Sequence, residues 1–246
     1  MHAKPKPDRF KARLLRLVSL AIGLTLLAAC GTPSMKPTQA SAIQRVGIVS
    51  LLPNELRYEK VGITVFNNEK IVRPVGDALN SVARSAAERS LNATSRQVVQ
   101  LAVDVPTLAK RMRSAVITFD SPAEQIKAEL SQLAKENQLD AIVLMAESFD
   151  AENGIQGVRM YLRAGLGDIR LAVADGNLMT LVVDANVKML AGQFRGASLA
   201  IDRPQGQPWS YALQENLDAP TESHVNAQIL RTIDSVVSQH IRTMGF

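Results

Sequence analysis

Apolar positions along the chain change period several times, and each change predicts an element. Val46-Gly47-Ile48-Val49-Ser50-Leu51-Leu52 is a short apolar run stopped by Pro53-Asn54, as in a buried strand. Val61, Ile63 and Val65 alternate with Gly62 and Thr64, which predicts a half-buried strand. Asn67-Asn68 supplies turn residues, and Lys70 to Pro74 returns as the second arm of a hairpin over 56–74. Asp77 is placed to cap a helix in which Leu79, Val82, Ala83 and Ala86 keep helical spacing to Leu91, with Asn92 as its stop. Val98 to Val105 reads as a strand ending at Pro106, and Thr107 to Ser114 as a short basic helix. Ser121-Pro122-Ala123-Glu124 combines a cap, a proline at the first helical position and a capping-box acid. Ile126, Leu130 and Leu133 then give a buried stripe, Asn137 an end, and Leu139 to Ala146 a central strand.

Beyond a turn at Asp150 to Gly154 the period becomes sheet-like. Val158 to Leu166, Ile169 to Ala174 and Leu178 to Leu190 read as strands, with Asp175-Gly176-Asn177 as the hairpin turn between the last two. Phe194 to Ile201 adds an edge strand. Arg203 to Pro220 is a loop rich in Pro, Gln and Asn. Thr221 caps a final helix striped by Val225, Ile229, Ile233, Val236, Val237 and Ile241. The expected fold class is α/β (α+β): a mixed β-sheet with packed helices, a late antiparallel strand meander and a C-terminal helix.

The first thirty residues follow a different rule. Lys4, Lys6, Arg9, Lys11, Arg13 and Arg16 precede an uncharged run, Leu17 to Ala29. A spanning helix takes about 20 apolar residues, so this run has the length of a signal-peptide core instead. It ends Leu27-Ala28-Ala29-Cys30 and resembles the lipobox of bacterial lipoproteins. Small residues at 28 and 29 suit a peptidase cleft, and the Cys30 thiol is the group that would receive lipid. The resemblance implies cleavage between Ala29 and Cys30 and a lipid-anchored mature chain. Gly31, where an aspartate would favour inner-membrane retention, implies the periplasmic face of the outer membrane. Gly31 to Ala42, with two prolines and small polar residues, reads as a flexible tether. The expected organisation is therefore a signal peptide over 1–29, a lipidated Cys30 and tether over 30–44, and one periplasmic domain over 45–246.

Composition changes its meaning once the chain is divided there. The 246 residues carry a formal charge of +5 and a single cysteine, which excludes an internal disulfide. The leader holds six of the 28 Lys and Arg and one of the 23 Asp and Glu, so the remainder carries 22 of each. A neutral working domain gives no electrostatic footprint for nucleic acid.

The order of elements is similar to the curli-secretion (CsgG-like) lipoprotein fold and to the N-terminal domain of the Tol system's periplasmic propeller protein. The pieces that carry the resemblance are VGIVSLLPNE, the helix at 77–91, VVQLAVD and QIKAELSQLAKENQLDAIVLMAES. It spans roughly 45–190, departing at the arm Leu56 to Pro74 and at the turn Asp184 to Gly192. It implies roles in periplasmic binding, secretion or envelope assembly rather than catalysis.

Candidate chemistry is sparse. His224 and His240 stand sixteen residues apart on one predicted helix, about 24 Å at helical rise, too far to share a metal. No G-x-S-x-G or Walker loop is present, and Gly165-Leu166-Gly167 leads into Arg170 and a strand rather than a dinucleotide-binding helix. Glu147, Asp150 and Glu152 follow the Leu139–Ala146 strand and read as turn acids, with a small-ligand or hydrolase site as the alternative. Lys110-Arg111-Met112-Arg113 is the one compact basic cluster, read as a solvated face, and Trp209 is read as the plug of a loop. No catalytic residue, metal or cofactor is expected. The hairpin over 56–74, with Tyr58, Val61, Ile63, Val65 and Phe66, is the candidate partner-binding element. The functional expectation is a non-catalytic accessory or assembly factor of a cell-envelope complex, with a membrane partner through Cys30, an envelope protein partner and room for oligomerisation. A secretion-channel subunit using 155–190 and 56–74 is the second expectation, although Arg159, Arg163 and Arg170 interrupt the first stretch.

Overall fold

The computed structural model of the chain describes residues 34–118, 123–150, 154–155, 157–194 and 196–246. The expected leader, Ala29 and Cys30, the first tether residues, and Ser121-Pro122 lie outside the described residues.

The expected tether is shorter than its composition suggested. Pro37–Ala42 forms a helix, α1, and Met35, Ala40 and Ile43 are buried in the main core. The Met35 N–H donates to the Met244 carbonyl at 3.0 Å. Three apolar residues are enough to seat this segment, and Pro37, Thr38 and Ser41 between them face solvent. Residues 34–44 therefore belong to the folded unit.

Strands β1 (Arg45–Ser50), β4 (Gln97–Gln100), β5 (Ala141–Glu147), β10 (Leu178–Asp184) and β11 (Met189–Gln193) make one sheet in the order β11-β10-β5-β1-β4. β4, β1 and β5 are parallel; β10 runs against them, and β11, antiparallel to β10, returns in their direction. Ala141, Val143 and Met145 of β5 enter one core, while Ile142, Leu144 and Ala146 enter another. A strand covered on both faces has no polar position to show, which is why this segment reads as a continuous apolar run. Helix α2 (Ala78–Asn92) and the long α5 (Ala219–Thr243) cover the first face. Helices α3 (Val105–Thr118) and α4 (Lys127–Glu136) cover the second.

The remaining strands form a second sheet, which the expectation of one mixed sheet did not contain. Strands β2 (Glu55–Val61), β3 (Glu69–Pro74), β8 (Val158–Ala164), β9 (Ile169–Gly176) and β12 (Ala197–Ala200) lie in the order β12-β9-β8-β2-β3. A short β6–β7 pair, Phe149–Asp150 with Gly154–Ile155, stands apart. The inner face of the second sheet places Leu56, Tyr58, Val158, Met160 and Leu162 in the same core as α5. Its outer face is charged: Arg159 bonds Glu59 at 2.6 Å and Asp175 at 3.1 Å.

Several boundaries move for physical reasons. The 56–74 arm is not an appended hairpin, because β2 pairs in parallel with β8 on its other side. Asp175-Gly176-Asn177 is not a hairpin turn; it passes the chain from β9 in one sheet to β10 in the other. Gly176 is required there, since a Cβ would meet the Thr232 side chain at 2.8 Å. The stretch 178–190 breaks at Asp184, whose carboxylate accepts from the N–H groups of Asn186 and Lys188, and a turn forms. The strand expected at 98–105 stops at Gln100, and α3 already begins at Val105. The final helix is capped by Asp218, which accepts from the Thr221 N–H at 2.8 Å, rather than by Thr221 itself.

Candidate interaction surface

β2 and β8 run side by side in parallel, with Val61 opposite Arg163 at the end of their pairing. The loops that follow them, 62–68 and 165–168, therefore leave the same end of the second sheet. They carry the most exposed large apolar side chains of the described residues: Phe66 at 92%, Leu166 at 86%, Val65 at 76% and Ile63 at 62%.

The first loop is not loose. Val65–Asn67 closes a 3-10 turn. The Gly62 N–H donates to Asn68 Oδ1 at 3.0 Å, and the Thr64 hydroxyl donates to Asn67 Oδ1 at 2.9 Å. Asn67 Nδ2 in turn donates to the Tyr211 hydroxyl at 2.9 Å. Gly62 has no room for a Cβ, which would run into the Asn67 side chain. Fixing a loop while its largest apolar side chain points at solvent costs conformational entropy with no burial in return. That arrangement is what a pre-organised contact surface requires.

Beneath this tip lies a buried cation. Lys60 is 2% exposed; its ammonium pairs with Glu69, donates to the Tyr211 carbonyl at 3.0 Å and sits 4.2 Å from the Tyr211 ring centre. The other Glu69 carboxylate oxygen accepts from the Leu213 N–H at 2.9 Å. Partial burial works against ionisation of Glu69, but the hydrogen bonds from Lys60 and Leu213 outweigh it and hold the carboxyl below its usual range. The tip is thus tied through Tyr211 and Leu213 to the segment leading into α5. Around it stand three exposed cations, Lys70, Arg163 and Arg170, with Glu59 3.9 Å from Lys70 and Asp168 3.7 Å from Arg170.

Of the hairpin residues expected to bind a partner, Ile63, Val65 and Phe66 are brought together on this tip, and Val61 is half-buried at the end of β2. Tyr58 is not available: it is fully buried, and its hydroxyl donates to Asn226 Oδ1 at 3.0 Å. Leu166 and the arginine rim were missed. The local signal for Leu166 is an apolar residue isolated between two glycines, Gly165 and Gly167.

Glu147 is a structural acid rather than a free one. It pairs with Arg57 at 2.6 Å and accepts from the Val158 N–H at 3.1 Å. The Asp150 side chain and Glu152 lie outside the described residues. His240 is buried, its Nδ1 2.9 Å from the Thr180 hydroxyl. The basic cluster is divided: Met112 is buried in the second core and Arg111 pairs with Glu129. Trp209 packs half-buried against the main core, as a plug would, beside an open cleft of about 640 Å3. Among the described residues no helix is long and apolar enough to cross a membrane.

No protein-family model matches the chain, and no curated protein matches it by sequence. Among solved structures it is similar to the PelC dodecamer from Paraburkholderia phytofirmans, at 9% identity over 84% of this chain and 92% of that one, with a TM-score of 0.30. It is also similar to the lipoprotein GNA1162 from Neisseria meningitidis, at 14% identity over 74% and 99%, with a TM-score of 0.29. The LpoB C-terminal domain from Salmonella enterica matches at 7% identity over 73% and 91%, with a TM-score of 0.23. Likeness at this level does not identify a shared activity.

Proposed function

We propose that the chain is the precursor of a lipid-anchored cell-envelope lipoprotein, held on the periplasmic face of the outer membrane. Its domain acts without catalysis, as an accessory or assembly factor of an envelope complex. The observation that carries this reading is the position of the sole cysteine, Cys30, at the end of Leu27-Ala28-Ala29-Cys30 and only a few residues before Met35, where the packed core begins. Of the acids Glu147, Asp150 and Glu152, Glu147 gives it indirect support, since its carboxylate is taken up by Arg57 and the Val158 N–H.

Growth with labelled fatty acid tests the anchor: the wild-type chain is expected to take up label and fractionate with outer membranes, and Cys30→Ala to lose both. Co-purification from detergent-solubilised envelopes tests the accessory role. Recovery of the acylated chain only as a lone monomer would count against it.

A further inference from the structure

We propose that the loops 62–68 and 165–168 form a membrane-contacting tip that places Phe66, Val65, Ile63 and Leu166 into an anionic lipid surface. This deepens the lipoprotein reading, on which it rests for the nearness of a membrane, and adds a second contact that would orient the domain.

Three observations favour a lipid surface as the occupant. The apolar side chains sit on two convex loop ends, while the loop residues between them are uncharged except Asp168. A protruding apolar tip of this kind suits the headgroup and acyl boundary, where such side chains bury about 5–10 Å deep. A protein partner would ask for a broader face, on the order of 800 Å2 per side. Next, the rim carries three exposed cations, Lys70, Arg163 and Arg170, against Glu59, 3.9 Å from Lys70, and Asp168, 3.7 Å from Arg170. Cations flanking an apolar tip are the pattern that anionic leaflets attract, with each residue near the surface adding to binding and salt weakening it. Finally, the tip is pre-organised by Asn67, Asn68 and the Tyr211 hydroxyl, so insertion does not have to order the loop.

Met35 meets the C-terminal end of α5, and the tip is tied to the segment entering its N-terminal end, so the two are separated by about one length of that helix, roughly 36 Å.

The test uses the unacylated chain from Gly31 to Phe246, whose core closes within residues 35–246. It is floated with vesicles of phosphatidylcholine and phosphatidylglycerol at about 2:1, and with phosphatidylcholine alone. Binding to the anionic vesicles is expected, with loss of most of it at about 0.5 M salt. The double variant Phe66→Ser, Leu166→Ser is expected to bind roughly tenfold more weakly or less. Arg163→Glu with Arg170→Glu should abolish the preference for phosphatidylglycerol. An environment-sensitive dye on Val65→Cys gives an independent reading, since this chain has no other cysteine, and should shift to the blue with anionic vesicles. No binding to anionic vesicles, or equal binding by the Phe66 and Leu166 variant, overturns the proposal. Because Cys30 is absent from this chain, failure here leaves the fatty-acid result untouched, and failure of acylation leaves the vesicle result standing.

Discussion

The Tyr58 hydroxyl donates to the Asn226 side-chain oxygen across 3.0 Å, joining the inner face of the second sheet to α5. Without that bond two polar atoms between sheet and helix would lie unpaired. Tyr58→Phe removes the donor, leaves Asn226 Oδ1 short of a partner, and is expected to cost about 1 kcal/mol in urea unfolding.

Alkaline pH reads the same residue. Burial first, and then the Glu222 charge, push the Tyr58 ionisation well above its ordinary position. In the unfolded chain Tyr58 loses its proton near pH 10, whereas in the folded chain it keeps it. The folded state then binds more protons, so stability falls as pH rises above about 10. The unfolding midpoint of the wild type should drop between pH 9 and pH 11 (about the range in which free tyrosine titrates), and that of Tyr58→Phe should drop less.

Lys60 and Glu69 form an unequal pair, with the ammonium buried and the carboxylate 41% exposed. Glu69→Gln would leave a buried cation without its counter-charge. Breaking a fully buried pair costs about 3–5 kcal/mol, and the exposure of Glu69 brings the expected loss to roughly 2 kcal/mol. Lys60→Met together with Glu69→Gln should cost less than Glu69→Gln alone, which a double-mutant cycle in urea measures directly. Because the folded-state ionisation of Glu69 is lowered, its stabilisation is complete above the ordinary carboxylate range and disappears as pH falls through the folded value. Acid unfolding of Glu69→Gln should accordingly show a shallower slope below about pH 4.5 than the wild type.

How far these features could be read beforehand depended on how local their causes are. The β5 run and the α5 stripe were legible because one strand covered on both faces and one helix with a single buried face each write their own pattern. The division into two sheets was not. Val61, Ile63 and Val65 alternate as a strand would, yet only Val61 belongs to β2, and the other two lie in a loop closed by Asn67 and Tyr211. Tyr211 is 144 residues from Asn67, and no local window contains both. The same distance hid the pairing of β2 with β8, and with it the meeting of Phe66 and Leu166 on one tip.

Gly157 sits where the chain must pass under the Arg57–Glu147 pair. Its φ of 38° lies in the left-handed region, and an added Cβ would collide with both the Glu147 carboxylate and the Arg57 guanidinium. Gly157→Ala should therefore destabilise through strain and through displacement of a largely buried ion pair, by about 1–3 kcal/mol in chemical denaturation. Gly206→Ala is the matched control. It has a positive φ too, at 68°, but open space around it, so its cost should stay near the backbone penalty alone, about 1 kcal/mol.

The segment before β1 offers the sharpest contrast between the two readings of residues 34–44. If it were a tether, removing it would leave stability unchanged. In the structure Ile43 and Met35 are buried, the Met35 N–H bonds the Met244 carbonyl, and Arg96 Nη2 donates to the Ala40 carbonyl at 2.8 Å. Ile43→Ala deletes buried methyl and methylene groups and is expected to cost about 2–4 kcal/mol. A chain beginning at Arg45 loses both buried side chains and the bond to Met244 as well, so it should unfold at a lower urea concentration than Ile43→Ala in the chain from Gly31. Hydrogen exchange should show the consequence at the C-terminal end of α5: the amides near Ile241 to Met244 exchange faster once Met35 is gone, while those near Val225 keep their protection.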